Sequence, residues 1–295
     1  MPDSIGGARQ GGILYVVATP IGNLQDITLR ALAILGQADL IACEDTRHTG
    51  HLLSAHNIRR PLISYFEHNE QQRAAELVVR LQNGERIALV TDAGTPCVSD
   101  PGYRLVRAAL EAGVTVEAVP GPCAAIAALS IAGLPTDRFV FEGFLSSRAS
   151  ARDTRLREMA GEARTMVFYE AARRLSATLA AMARIWDAQR PAVVVRELTK
   201  FHEESMRGTL ADLAARAAGR EIRGEAVLLV AGAAADQSAP GGAQRLSVHD
   251  LIEAGLEPRA AAKLIARMSG RSSREVYAEA VAARESPKRS SGRPA

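Results

Sequence analysis

Residues 87–102 read IALVTDAGTPCVSDPG. The first five are apolar and rich in β-propensity, the pattern of a short strand buried on both faces. They run straight into Asp92-Ala93-Gly94-Thr95-Pro96 and then Asp100-Pro101-Gly102, where Gly and Pro stop the strand and let backbone approach a ligand closely. The same unit recurs on either side. Upstream, residues 13–18 (ILYVVA) enter the turn Thr19-Pro20-Ile21-Gly22-Asn23, after which Asp26 or Thr28 caps a helix with Leu29, Leu32 and Leu35 on one face. Residues 40–43 end at Glu44-Asp45-Thr46-Arg47, and residues 61–65 end at Glu67-His68-Asn69-Glu70 before an amphipathic helix through Leu81. Downstream, a helix over 103–112 stops at Gly113, and a strand over 114–119 enters Pro120-Gly121-Pro122. Strand, polar or Gly/Pro loop, helix: this repetition predicts an α/β fold with a mostly parallel sheet and helices on its faces.

Gly133-Leu134-Pro135 breaks the alternation and marks the predicted domain boundary. Beyond it, residues 139–144, 165–169, 192–198 and 226–231 are strand candidates with helices between them. The stretch DQSAPGG at 236–242 has the composition of a linker. Helices are then predicted at 248–255, 259–268 and 273–283. The expected organisation is a disordered arm (1–12), an N-terminal α/β domain (13–133) and a C-terminal α/β domain (134–235). A linker (236–244), a helical appendage (245–283) and a disordered basic tail (284–295) follow.

The 295-residue chain is 47% hydrophobic and 23% charged, which is globular composition. No apolar run approaches the roughly 20 residues that span a bilayer, and residues 1–12 lack the apolar core of a signal peptide. Three cysteines, Cys43, Cys97 and Cys123, lie far apart and fit a reducing, cytoplasmic setting. A net charge of +3 identifies no partner. Its distribution says more, since residues 148–157 hold four arginines and one Asp, and residues 284–293 four cations and one Glu. Either stretch could track phosphate, or be a solvated loop and tail.

In an open parallel sheet, ligands bind beyond the carboxyl ends of the strands. Every unusual loop of the first half follows a strand, so all share that edge and predict a ligand cleft. Gly22 begins no G-x-G-x-x-G, so the acidic pair Glu44-Asp45 about 20 residues on does not complete a dinucleotide site. There is no P-loop and no G-x-S-x-G. The cleft therefore calls for a nucleoside-type ligand without a pyrophosphate. His48, His51 and His56 cluster without a further ligand at metal spacing, and no metal is expected.

The runs ATPIGNL (18–24), EDTR (44–47), YFEHNE (65–70), TDAGTPCVSDPG (91–102) and VPGPCA (119–124) resemble those of ribosomal RNA small subunit methyltransferase I, a branch of the tetrapyrrole methylase superfamily. In the second half FEGFL (141–145), Tyr169-Glu170-Ala171, RELTK (196–200) and GEAV (224–227) continue the likeness, which spans residues 12 to 283. The resemblance implies two α/β domains, the second sheet mixed, with S-adenosylmethionine bound folded between them. It implies 2′-O-methylation of a cytidine in small-subunit (16S) ribosomal RNA, with that RNA or the small ribosomal subunit as partner, and a homodimer. By position, Pro20, Asp92, Ala93, Gly94, Ser99, Cys123, Ala124, Tyr169 and Ala171 would line the cofactor site. Two departures fall on the substrate side. Ala172-Arg173-Arg174 stands where the family usually has Pro-His-Arg, and Ser146-Ser147-Arg148 where it often has Pro-Arg-Lys.

Methyl transfer to a ribose hydroxyl requires alignment and removal of a poorly acidic proton. A carboxylate in a partly desolvated cleft suits that task. Asp45 and Glu67 stand on the appropriate edge as general-base candidates, each equally suited to capping the helix that follows. The alternatives are precorrin C-methylation, diphthine synthesis, or a non-catalytic RNA-binding module of ribosome assembly. The last predicts salt-sensitive RNA binding without cofactor affinity.

Overall fold

The computed structural model describes residues 11–219, 224–233, 248–253, 255–269, 272, 274 and 276–278, in two compact units, Met1–Ser238 and Ala239–Ala295. The first unit contains two sheets. One comprises β1 (Ile13–Val17), β2 (Leu40–Cys43), β3 (Leu62–Ser64), β4 (Arg86–Leu89) and β5 (Thr115–Val119), in the order β3-β2-β4-β1-β5. Every pairing in it is parallel. Helices α1 (Leu29–Gln37), α2 (Thr46–Ala55), α3 (Glu70–Gln82) and α4 (Tyr103–Glu111) connect the strands. Successive strand residues point to opposite faces. Tyr15, Val17, Ile41, Cys43 and Ala88 thus pack against Ile34 and Leu35 of α1 and Leu52 and Leu53 of α2. Leu14, Leu40, Ala42, Ile87 and Leu89 meet Leu77 and Leu81 of α3 and Leu105 of α4 on the other face. Burial on both faces is why these strands read as unbroken apolar runs rather than alternating ones.

Thr28, not Asp26, caps α1, its hydroxyl accepting from the Ala31 N–H at 3.1 Å. That start places Ala31, Ile34 and Leu35 inward and leaves Leu29 86% exposed, so the expected Leu29–Leu32–Leu35 face is displaced around the helix.

The second sheet comprises β6 (Phe139–Phe144), β7 (Thr165–Ala171), β8 (Pro191–Arg196), β9 (Glu204–Thr209) and β10 (Glu225–Val230), in the order β6-β7-β10-β8-β9. The β6–β7 pair is parallel and the other three pairs are antiparallel, so the sheet is mixed. Helices α6 (Ala149–Glu158), α7 (Ala172–Ile185) and α8 (Leu210–Ala217) supply Leu156, Leu175, Leu179, Met182, Leu210 and Leu213 to one face of it. The opposite face, Val167, Val193, Val195, Val227 and Leu229, is covered by Ala125, Ala128, Leu129 and Ala132 of α5 (Ala124–Ala132). By packing, α5 belongs with the second sheet. The predicted break at Gly133-Leu134-Pro135 directly follows this helix, with Gly133 as its C-cap.

In the second unit α9 (Val248–Glu253) and α10 (Pro258–Ser269) pack Val248, Leu251, Ala261, Ala262, Ile265 and Ala266 together, with Val276 beside them. Most of the helix predicted at 273–283 lies outside the described residues, as do the linker at 236–244, the tail at 284–295 and all but the last two residues of the arm. Among the described residues no helix is long and apolar enough to cross a membrane.

Candidate functional site

Because the first sheet is wholly parallel, the loops after its strands project from one edge. Hydrogen bonds tie them together there. The Thr19 N–H donates to the Gly94 carbonyl at 2.9 Å, and the Gly94 N–H returns a bond to the Thr19 carbonyl at 3.1 Å. The Thr19 hydroxyl donates to the Thr91 carbonyl at 3.0 Å, and the Thr95 hydroxyl to the Pro122 carbonyl at 3.0 Å. The Asp45 N–H donates to Asp92 Oδ1 at 3.2 Å. Gly94 has φ +91°, a left-handed conformation that side chains rarely adopt, and so must be glycine for this clasp to close.

These loops form one side of a cavity of about 280 Å³, near the lower end for small-molecule sites. Ile21, Glu44, residues 91–95 and residues 98–100 line that side. The second sheet and its connections supply Ala124, Phe144, Tyr169, Glu170, Val195, Glu197, Leu198, Lys200 and residues 225–227. Ser99 couples the two sides, because its Oγ lies 2.7 Å from where a Cβ on Gly143 would stand. Gly143 has φ +64° at the irregularity where β6 slips register against β7. A side chain there would have to displace the Ser99 hydroxyl.

Of the residues expected at a cofactor, Asp92, Ala93, Gly94, Ser99, Ala124 and Tyr169 line this cavity. Pro20, Cys123 and Ala171 are not in its wall, though each is the chain neighbour of a residue that is. Tyr169 is wedged between halves. Its hydroxyl accepts from the Ala125 N–H at 3.1 Å, and its ring meets Phe141 and Phe144 at centroid distances of 5.0 and 5.5 Å. Burial, then the neighbouring Cys123, pushes its hydroxyl well above the ordinary phenol range, so it stays protonated.

The two base candidates fare differently from the rest. Asp45 is the N-cap of α2, accepting from the Arg47 N–H at 2.8 Å and pairing with the Arg47 guanidinium at 2.9 Å. The Arg47 side chain and N–H hold its carboxyl down at about 2, which makes it a weak proton acceptor. Glu67 is exposed in the turn after β3, and neither residue is in the cavity wall. The carboxylates that do line it include Glu44, Asp92, Asp100, Glu170, Glu197 and Glu225. Glu44 had a legible signal, as the first charged residue after a strand apolar throughout. Asp100 lay inside the quoted loop, but nothing in its spacing distinguished it from a turn residue.

The basic stretch at 148–157 is helix α6, not a loop, and two of its arginines serve the fold. Arg155 pairs with Glu142 at 2.8 Å and Glu158 at 2.9 Å, while Arg152 sits 3.6 Å from Asp153 with little exposure. Arg148 and Arg157 are exposed.

The profile of the tetrapyrrole (corrin/porphyrin) methylases matches residues 13–214. Ribosomal RNA small subunit methyltransferase I of Xylella fastidiosa (strain Temecula1) is 48% identical over 268 residues, covering 90% of this chain and 98% of its own. The protein of that name from Pseudomonas aeruginosa is 47% identical over 273 residues, covering 92% of this chain and 97% of its own. Among solved structures, uroporphyrin-III-C-methyltransferase from Thermus thermophilus superposes with a TM-score of 0.55 at 22% identity, over 75% of this chain and 94% of that one. The methyltransferase CobJ does so with a TM-score of 0.58 at 22% identity, over 78% and 98%. These two share the fold. With a matching profile over residues 13–214 and relatives near half identical along almost their whole length, this chain belongs to the ribosomal RNA small subunit methyltransferase I family of the tetrapyrrole methylases.

Proposed function

We propose that this chain transfers a methyl group from S-adenosylmethionine to small-subunit ribosomal RNA, at the ribose 2′ oxygen of a cytidine. The observation that carries the reading is identity of 44–48% across about 90% of the chain to relatives that bear one name. The cavity suits the cofactor chemically. Ala93, Gly94, Ala124 and Ala226 leave room against backbone, Ile21, Val98, Leu198 and Val227 offer apolar surface, and Glu44, Asp92 and Glu225 present negative charge to a sulfonium. When bound, S-adenosylmethionine supplies the electrophilic methyl. The chain's residues would hold it in line with the acceptor hydroxyl, exclude water and take up a proton. Pro20, Cys123 and Ala171 would support that site through the adjoining wall residues. The test is mass mapping of ribose methylation in small-subunit RNA from cells with and without the protein. An unchanged map, with label transferred instead to a precorrin or to elongation factor, would move the assignment within the superfamily.

We read α10 as an RNA-facing element. Arg259, Lys263 and Arg267, four apart, form one exposed stripe, while Ala261, Ala262, Ile265 and Ala266 are buried. The Arg259 guanidinium lies 5.9 Å from the Tyr277 ring centroid, which orders it without neutralising it. Replacing all three cations with alanine should leave S-adenosylmethionine affinity intact and weaken RNA binding. The log–log salt slope should flatten by about 0.9 for each duplex phosphate that the variant no longer neutralises. Filter binding across a salt series checks this, and an unchanged slope would reduce the stripe to a solvated face. The chain is further read as a cytoplasmic homodimer with the domain limits given above, which sedimentation and limited proteolysis test directly.

A further inference from the structure

Asp100 stands in the cavity's acidic wall without the roles that usually explain a loop aspartate. It does not cap α4, whose N-cap is Gly102 with no side-chain hydrogen bond. Among the described residues no cation accounts for it, since its charged neighbours are Glu44 from the end of β2, Asp92 from its own loop and Glu225 from β10. Cys97 and the protonated Tyr169 are the other titratable groups that feel it. Lys200, also in the wall, is paired with Glu197 at 3.0 Å.

The hydroxyl that acts on it is engaged elsewhere. The buried Thr91 hydroxyl donates to Glu44 Oε2 at 3.3 Å, while its proximity to Asp100 only partly offsets the burial of that carboxyl. A hydroxyl has one proton to give. With that proton directed to Glu44, which the Asp92 backbone also stabilises, Asp100 faces like charge with little to hold its ionised form, which favours uptake of a proton from elsewhere. The loop holds strained backbone. Cys97 and Ser99 both take left-handed conformations, φ 70° and 66°, and the Ser99 hydroxyl fills the space where a side chain on Gly143 would stand. Such strain persists where the surroundings impose a side-chain position.

Building on the function proposed above, we infer that Asp100, set in the same cavity wall as Glu44 and Thr91, is the group that accepts the proton of the ribose hydroxyl as it is methylated. In that step the hydroxyl oxygen gains the methyl and its O–H bond breaks, the proton passing to an Asp100 carboxylate oxygen. The electron pair of the broken methyl–sulfur bond leaves with the thioether. Burial, with Glu44, Asp92 and Glu225 adding to it, pushes the Asp100 carboxyl up to about 6. It is then ionised at neutral pH yet more basic than an ordinary carboxylate, the compromise general-base catalysis favours.

The test compares wild type, Asp100→Asn and Glu44→Gln in the full-length protein. Asp100→Asn should lose about a hundredfold or more in kcat on small-subunit RNA, with affinities for S-adenosylmethionine and S-adenosylhomocysteine held within about threefold by calorimetry. In the free protein, a carboxyl band titrating near pH 6 in the infrared should vanish in that variant. Glu44→Gln removes a like charge, so the acid limb of the pH–rate profile should move to lower pH. An active wild type whose Asp100→Asn variant keeps full turnover and the same acid limb overturns the assignment alone. So does a variant that loses affinity for the cationic cofactor but not for its neutral product, since Asp100 is then a counter-charge. A wild type that binds S-adenosylmethionine yet methylates no small-subunit RNA overturns the substrate reading and this assignment with it.

Discussion

Gly94→Val should lose about a hundredfold in affinity for S-adenosylmethionine while the protein remains folded. Both backbone hydrogen bonds that join the loops after β1 and β4 run through this residue, and they form with Gly94 at φ +91°. A β-branched side chain forced there costs on the order of 1–3 kcal/mol. It also meets Ile21, whose Cγ2 lies 3.4 Å from the Cβ position and which lines the cavity. If the strain opens the Thr19–Gly94 bridge when the site is assembled, about 3 kcal/mol corresponds to about two decades in dissociation constant. The two sheet cores do not depend on this loop, so far-UV circular dichroism should be preserved. Gly94→Ala, with strain but less bulk, should fall between. Near-normal affinity in a folded Gly94→Val protein would remove this loop from the cofactor site.

The parallel sheet was legible because its central strands, β1, β2 and β4, are largely buried and each strand is closed by Gly, Pro or charge. β9 was not. Its sequence, ESMRGT, belongs to an edge strand whose residues are all partly or fully exposed, so no apolar run or clean alternation marks it. The role of α5 was illegible for a different reason. Its apolar residues announce burial, but only the tertiary fold tells which sheet they cover, and Ala125, Ala128 and Leu129 cover the second. The site divides along the same line. Small and Gly-rich stretches after parallel strands can be placed at an edge from topology. Which carboxylate turns into the cleft depends on side-chain direction, and Asp45, sequence neighbour of a wall residue, turns instead to cap α2.

Arg174→Met should destabilise the protein by about 3 kcal/mol, the largest single effect expected on its stability. Glu170 is 1% exposed, at the end of β7 and in the cavity wall. Its carboxylate accepts from the Ala171 N–H at 3.0 Å and the Thr178 hydroxyl at 2.6 Å, and pairs with Arg174 Nε at 3.1 Å. Removing the guanidinium strands a buried charge, which typically costs about 3–5 kcal/mol, and the lower end applies because Arg174 keeps 24% of its side chain in solvent. The same guanidinium donates to the Leu145 carbonyl at 2.5 Å, so it also joins the ends of β6 and β7 beside Phe144. That bond ties the residue after β6 to the first turn of α7. Adding Glu170→Gln to Arg174→Met removes the stranded charge while keeping an acceptor for the Ala171 N–H. The double variant should therefore recover more than half of the loss in urea unfolding, a coupling that independent sites would not show. A loss below about 1 kcal/mol for Arg174→Met, or simple additivity in the double variant, would mean that Thr178 and the backbone satisfy Glu170 without the arginine.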